Sequence, residues 1–510
     1  MKRIVWWGLL AGVLTLPAQD IKEFEKKVTE FTLPNGLQFL VVERHEAPAV
    51  SFATYVRAGT ANDVTGRTGL ARLFERILMT GTETIGSKNW LEEHKAMDAA
   101  EDVYDQLEAE RNLGPKASQS RVDTLQMQLR IAIDTAGRYG QSGAYANLIE
   151  ENGSTRLAAN VSADAAEYSY SLPSNRIELW FLMESQRLMR PVFRDFYKER
   201  DAAVEKKEKR LKTSTQARLF TAFTASAFQA HPYRNPAGGW PGELANVRRS
   251  EARAFFDRYY VPGNVVMAIV GDVNPGEARR MAEKYFGAWP AKPLPPFVRA
   301  QEPPQPGPRS VVVEAGTAPI ALVGYKRPNQ FDRDDAAFDV LQLILSHGKT
   351  GLLYRELVTD KHLAQRVDAT ATFPGGLYPN LFLLAMVAAQ GHTIEENQKA
   401  LDDFLLRLKQ QRLDQATIAR AKAQARLLLI NRLASNAGMA SILTTYHGSY
   451  GSWRKLFTAA DDLNKVTAED IQRVLIRYFV PAGRTTAYTV LPGQSGVPPV
   501  QRAGAPGGQQ

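Results

Sequence analysis

The chain has 510 residues, 44% hydrophobic and 23% charged, with a formal charge of +9 and no cysteine. That length exceeds one ordinary core and predicts about two to four domains, and the apolar content excludes a largely disordered chain. The lack of cysteine excludes disulfides, thiolate nucleophiles and cysteine-held zinc. The basic residues are spread out with no nucleic-acid-binding motif, so no nucleic-acid partner is expected.

Lys2 and Arg3 precede an apolar run, Ile4 to Leu16, then Pro17, Ala18 and Gln19. This pattern reads as a secretory signal peptide over residues 1–19, shorter than a membrane span of ~20 residues. It predicts export, to a periplasm, and a mature chain with no membrane span. From Phe31 to Glu43, Asn35-Gly36 is a hairpin turn signal between two strand-like runs. Ala49 to Ala58 reads as a strand. Gly66 to Met79 then changes to helical period, with Leu70, Leu73, Phe74, Ile77 and Leu78 on one face. Trp90 to Arg111 and Ser120 to Tyr139 predict a polar helical hairpin, broken at Asn112-Leu113-Gly114-Pro115.

Alanine-rich strand material follows from Thr155 to Leu172, then helices over Arg176 to Met189, Arg194 to Lys212 and Arg248 to Tyr260. A strand from Asn264 to Asp272 and a helix from Pro275 to Phe286 close the first lobe, residues 20–300. Residues 301–310 carry four prolines and read as an interlobe linker. In the second lobe, residues 311–493, strands are predicted at Val311 to Val313, Ile320 to Tyr325 and Phe382 to Ala389. Helices are predicted at Asp334 to Leu345, Ile394 to Lys409 and along a long region after Asp414. Residues 494–510, rich in Gly, Pro and Gln, read as a disordered tail. The fold class is α+β. An Arg-Tyr-aromatic-Val-Pro segment recurs before the last strand of each lobe, at Arg258 to Pro262 and Arg477 to Pro481, and predicts two related lobes.

The stretch Gly69 to Thr82, GLARLFERILMTGT, resembles the active-site helix of the insulinase, pitrilysin and mitochondrial-processing-peptidase family, whose motif is H-x-x-E-H. Further stretches agree in family order: the Asn35-Gly36 hairpin, residues 169–180, FYKERD at 196–201, HPYRNPAGGW at 231–240, YYVPGN and VGD, and LLYRELV at 352–358. The resemblance implies a clamshell half, each lobe holding two α+β repeats with mainly antiparallel sheets.

The chemistry departs from that pattern. In the family, two histidines four residues apart share one helical face and one zinc, and the glutamate between them activates water. Here Arg72 and Arg76 stand at the ligand positions, and Glu75 keeps the base position. Arginine has five donors and no acceptor, so it cannot ligate zinc. As a bare helix face, these three residues would form i,i+3 ion pairs worth a few tenths of a kcal/mol. The distal ligand position falls at Lys206 or Glu208, according to the register chosen. The family's substrate-pairing strand carries an Asn-Ala pair; here the Asn position is Ala158, with Asn160 two residues on. Ser-Arg-Leu-Tyr of the second lobe is replaced by Gly351, Leu352, Leu353 and Tyr354, so the substrate-contacting positions are Ala158, Asn160, Leu352 and Tyr354. None of the seven histidines pairs with another at helical metal spacing.

The resemblance thus implies a non-catalytic homologue with no metal or cofactor of its own, zinc being expected only in a partner chain. The leading expectation is the inactive subunit of a heterodimer, completing a chamber for peptide or unfolded polypeptide with a zinc-bearing homologue. The alternative is a structural or peptide-binding protein without a peptidase partner, as among the family's respiratory-complex relatives. An active metallopeptidase would need ligands that the sequence does not offer.

Overall fold

A computed structural model of the chain describes residues 24–315 and 319–491. The expected signal peptide and the tail at 494–510 lie outside the described residues.

The first lobe opens with β1 (Val28–Thr32) and β2 (Gln38–Glu43). Gly36 turns between them at φ 93°, and the Asn35 amide donates to the carbonyls of Phe286 and Trp289. There follow β3 (Ala49–Val56), α1 (Leu70–Ile77), α2 (Trp90–Arg111), α3 (Gln119–Tyr139), α4 (Ala144–Glu151), β4 (Thr155–Val161) and β5 (Ala166–Pro173). Helices α5 (Ile177–Met189), α6 (Phe196–Thr213), α7 (Thr215–Ala227) and α8 (Arg249–Tyr259) lead to β6 (Val265–Gly271) and α9 (Pro275–Phe286). The sheet order is β1-β2-β6-β3-β5-β4, with β2 and β6 parallel and the other pairs antiparallel. β6 reads VVMAIVG and is buried throughout, the continuous apolar run expected of a central strand covered on both faces.

The second lobe comprises β7 (Arg309–Glu314), β8 (Ile320–Arg327), α10 (Asp335–Ser346), β9 (Ala364–Phe373), β10 (Asn380–Ala388), α11 (Ile394–Gln410), α12 (Gln415–Ala434), α13 (Asn436–Tyr450), α14 (Lys455–Lys465), α15 (Ala468–Tyr478) and β11 (Arg484–Val490). Its sheet runs β7-β11-β8-β10-β9, with only β7 and β11 parallel. Strand for strand this repeats β2-β6-β3-β5-β4 of the first lobe, without a counterpart of β1 among the described residues. The Val-Pro echoes fall at equivalent places, each starting a short 3-10 turn (Pro262–Asn264 and Pro481–Gly483) before β6 and β11. The fold is α+β with two related, mainly antiparallel lobes. The expected count within each lobe is corrected: each holds one sheet, not two repeats, because the two lobes are themselves the repeats.

The lobes exchange helices. Ser214 and Ser435 cap α7 and α13 with their side chains, and each cap breaks a long helix and redirects the chain. Leu219, Phe223 and Ala227 of α7 pack on Leu322, Leu381, Leu383 and Ala487 of the second sheet. In return, Met439, Ala440 and Leu443 of α13 pack on Leu40, Ala53, Val266, Ala268 and Val270 of the first sheet. Each contact seats an aromatic ring on a glycine. A Cβ on Gly324 would lie 2.6 Å from the Phe223 ring, and one on Gly448 would lie 2.2 Å from the Tyr55 ring. Residues 290–308 form no helix or strand, as the prolines predict, yet they are fastened: the Glu302 carboxylate accepts the backbone N–H groups of Gln229, Ala230 and His231.

Most predicted elements are present within a few residues. Three go unpredicted: α4, α7 and β9. The region after Asp414 is four helices, α12 to α15.

Candidate functional site

Helix α1 buries Leu70, Ala71, Leu73, Phe74 and Ile77, which leaves Arg72, Glu75 and Arg76 on its polar face. Its start is held by two carboxylates. Asp63 accepts the backbone N–H groups of Gly69 and Ala71, both at 2.8 Å, and Glu243 accepts the N–H and hydroxyl of Thr68. Burial pushes the Asp63 carboxyl up to about 7. Gly69 sits at φ 98° against the Gly238-Gly239 backbone, where a Cβ on Gly239 would lie 2.3 Å from the Gly69 nitrogen. This close approach accounts for the glycine pair in the 231–240 stretch.

The polar face of α1 is fully engaged. Arg72 Nη1 donates to the Val161 carbonyl at 2.7 Å, and Glu75 Oε1 accepts the Val161 N–H at 2.6 Å. Arg72 Nε also lies 3.4 Å from Glu75 Oε2, the expected i,i+3 pair. Arg76 Nε donates to Glu199 Oε2 of α6 at 2.5 Å. Both carboxylates are largely shielded, with side-chain exposures of 18% for Glu75 and 17% for Glu199. Lys207 of α6 adds a further cation. Burial first, then the charges of Arg210 and Arg72, lower its ammonium to about 8.

Val161 ends β4, the edge strand of the first sheet. An edge strand presents unpaired N–H and C=O groups to an incoming chain. At Val161 both groups are taken by α1. Ala158 and Asn160 lie exposed on β4, in register with Ser169 and Glu167 of β5. Leu352 and Tyr354 pack on the second-lobe core, around the fully buried Leu353. Lys206 and Glu208 lie on the exposed side of α6, where Glu208 approaches Lys212 at 4.0 Å. The residue of α6 that reaches α1 is Glu199, about two turns earlier. Three participants escape the sequence reading: the Val161 backbone, Glu199 as the partner of Arg76, and Lys207. A backbone group leaves no mark in a sequence, and pairing between helices needs the packing to be known.

The zinc that the resemblance implies does not fit these side chains. Both ligand positions hold acceptor-free guanidinium groups, and the two nearby carboxylates are neutralised by them. Among the described residues, no group of three or more His, Asp or Glu could hold a metal ion.

A family model described as "Peptidase M16 inactive domain" matches residues 246–425. Over 504 residues the chain is 22% identical to "Zinc protease PqqE" of Helicobacter pylori, covering 96% of this chain and 98% of that protein. The chain is thus similar to M16 peptidases of the insulinase and pitrilysin type, with the family match itself confined to residues 246–425. Two solved structures share the fold. An M16 inactive domain from Pseudomonas fluorescens superposes with a TM-score of 0.71 at 17% identity, covering 91% of this chain and 97% of that one. The periplasmic protease PqqL of Escherichia coli does so with a TM-score of 0.65 at 14% identity, covering 91% of this chain but 48% of PqqL. The matched segment 246–425 does not include α1, so the loss of metal ligands is read from the α1 residues themselves. Residues 246–425 match an inactive-type M16 domain, and α1 presents Arg72, Glu75 and Arg76 in place of H-x-x-E-H, a degenerate metal site.

Proposed function

We propose that the chain is the non-catalytic subunit of an exported heterodimer, completing a peptide-binding chamber with a zinc-bearing M16 homologue. The observation that carries this reading is the contrast between the two parts of the molecule. The polar face of α1 is rebuilt with arginines, while both lobes, their helix exchange and the linker contacts are kept. A protein altered at its chemistry but retaining a large folded scaffold is best explained by a role of shape. The superposition on 48% of PqqL supports the division of labour, since a unit of this size there accompanies a second stretch of similar length. Export is supported by the basic and apolar stretch at Lys2 to Leu16 and by the periplasmic description of PqqL. No helix among the described residues is long and apolar enough to cross a membrane.

The substrate-facing positions proposed here are Ala158 and Asn160 of β4, with Leu352 and Tyr354 in the second lobe. The test is coexpression with an intact H-x-x-E-H homologue, followed by metal analysis, peptide cleavage and sedimentation of each chain alone and mixed. This chain alone is expected to carry no stoichiometric zinc and to cleave no peptide, and mixing is expected to raise the partner's rate. Separate sedimentation at micromolar concentration with an unchanged rate would refute the proposal and favour a binding protein without a peptidase partner.

A further inference from the structure

A second site lies beside β1 and β2, at the edge of the first sheet opposite β4, and is independent of the degenerate centre. A cleft of about 970 Å³ opens between the N-terminal segment, the end of β2, α12 and α14. Its apolar wall is built from both lobes: Val42, Leu429, Leu433, Met439, Leu456 and Phe457. Ala425, Leu429 and Leu433 recur every four residues and form one stripe along α12. Met439 and Leu456 are buried, whereas Leu429, Leu433 and Phe457 are half-buried, so the wall remains open on the cleft side.

Charge is distributed unevenly around this wall. Lys26, Lys27, Arg44, Lys422 and Arg426 line the cleft, against Glu43, Glu46 and Asp461. Two of those acids are already matched. Glu46 pairs with Arg44, and Glu43 pairs with His45, whose imidazole also meets Asp272. The third acid, Asp461, stands in the same lining as Lys26, Lys27 and Lys422. Lys422 spends one donor on the Asn464 carbonyl at 2.7 Å and keeps two. The remaining balance is cationic, at the rim of an apolar wall.

We propose that this cleft binds an anionic amphiphile with a single alkyl chain, the chain lying along the Leu429–Leu433 stripe and the head group at Lys26 and Lys27, beside Arg44, which donates to the Ala434 carbonyl at the Leu433 end of α12. The volume falls within the ~300–1,000 Å³ of small-molecule sites, which are mostly apolar with a few placed polar groups. A free fatty carboxylate and a lysophospholipid share this chemistry and differ only in the head group.

The experiment is calorimetric titration of the full mature chain with octanoate, decanoate, dodecanoate, dodecanol and lysophosphatidylglycerol, each below its micelle concentration. Dodecanoate is expected to bind once per chain. Each added buried methylene should tighten binding by about fourfold. Dodecanol should bind about tenfold more weakly for want of the ionic contact. The double variant Lys26→Glu, Lys27→Glu should lose dodecanoate by about tenfold or more while keeping dodecanol. Tighter binding of lysophosphatidylglycerol than of dodecanoate would identify the lipid as the source, and the reverse a free acid. The proposal is overturned if dodecanoate shows no saturable binding, or if acid and alcohol bind alike. It is also overturned if inorganic phosphate displaces dodecanoate from the wild type, which marks an ion site alone. Binding of an acidic amphipathic peptide without binding of dodecanoate would overturn it in favour of a protein partner.

Discussion

Replacing Phe223 by alanine should loosen the two lobes from each other more than it disturbs either core. Phe223 is fully buried, yet it belongs to α7 of the first lobe and packs on the second sheet beside Leu322, Leu381 and Ala487. Truncating a buried phenylalanine costs about 3–5 kcal/mol, made up of lost transfer energy and the cavity left behind. The upper half of that range applies here, because the ring seats on Gly324, which has no side chain to fill the space. At 1.4 kcal/mol per decade, ~4–5 kcal/mol corresponds to an opening equilibrium raised about 10³-fold or more. Hydrogen exchange read by mass spectrometry should show this as accelerated exchange in peptides from α7 and β8. Peptides from β6, on the far side of the exchange, should change little. Phe223→Leu should recover most of the protection. An increase of less than about tenfold in α7, or uniform acceleration across both sheets, would refute α7 as the clasp between the lobes.

Arg194 is buried and donates to the carbonyls of Thr80, Thr82 and Ile85 as well as to Glu93, so Arg194→Met should leave Glu93 as an uncompensated buried charge. A loss of about 3–5 kcal/mol is expected by urea denaturation, and Glu93→Gln combined with Arg194→Met should restore part of it. His231 is held neutral: burial lowers its imidazole to about 4, and its Nδ1 accepts the Tyr233 N–H. Because the folded value lies below the unfolded 6.5, its contribution is present above pH 6.5 and is lost as pH falls towards 4. Limited proteolysis should therefore find the 229–235 loop and linker more susceptible near pH 4 than at pH 7, and less pH-dependent in His231→Phe. The double variant Arg72→His, Arg76→His should take up zinc weakly, measured by metal analysis, and should not reach the turnover of an intact relative. Substrate alignment would still lack the contacts expected at Ala158 and Leu352, and small misplacements are costly.

The parts of the fold legible in sequence are those whose signal is local. The Asn35-Gly36 turn, the α1 period and the proline-rich linker each follow from a few adjacent residues. Helix α7 is illegible because TQARLFTAFTASA carries its meaning in the second sheet, not in its own neighbourhood. β9, AQRVDATATF, alternates small alanines with polar residues, so its inward face lacks the bulky apolar signature of a strand. The duplication is visible as Val-Pro echoes, but the number of sheets per lobe is not, since that depends on which strands pair. At α1 the lost ligands are plain in Arg72 and Arg76. Their new partners are not, because Val161 and Glu199 are brought there by the sheet edge and by α6.

Those partners give the degenerate helix a structural consequence that can be tested without any protease. Alanine at residues 72 and 76 would leave Glu75 and Glu199 as shielded carboxylates without counter-charges, an arrangement that costs free energy. Arginine at both places neutralises them and also ties α1 to the sheet edge at Val161. The centre is therefore expected to be stable without metal, and a chelator should not change the melting temperature. Arg72→Ala should release the Val161 carbonyl, and Glu75→Ala should release its N–H. Arg72 and Arg76 are 42% and 47% exposed, so solvent screening limits each loss to about 1 kcal/mol or less. The more sensitive readout is local. Amide exchange at Val161 should accelerate in Glu75→Ala, where the acceptor is gone, and much less in Arg76→Ala, whose partner is Glu199. If Val161 exchanges equally fast in the wild type and in Glu75→Ala, the α1 side chains do not close the edge, and β4 is open to a paired peptide along its full length.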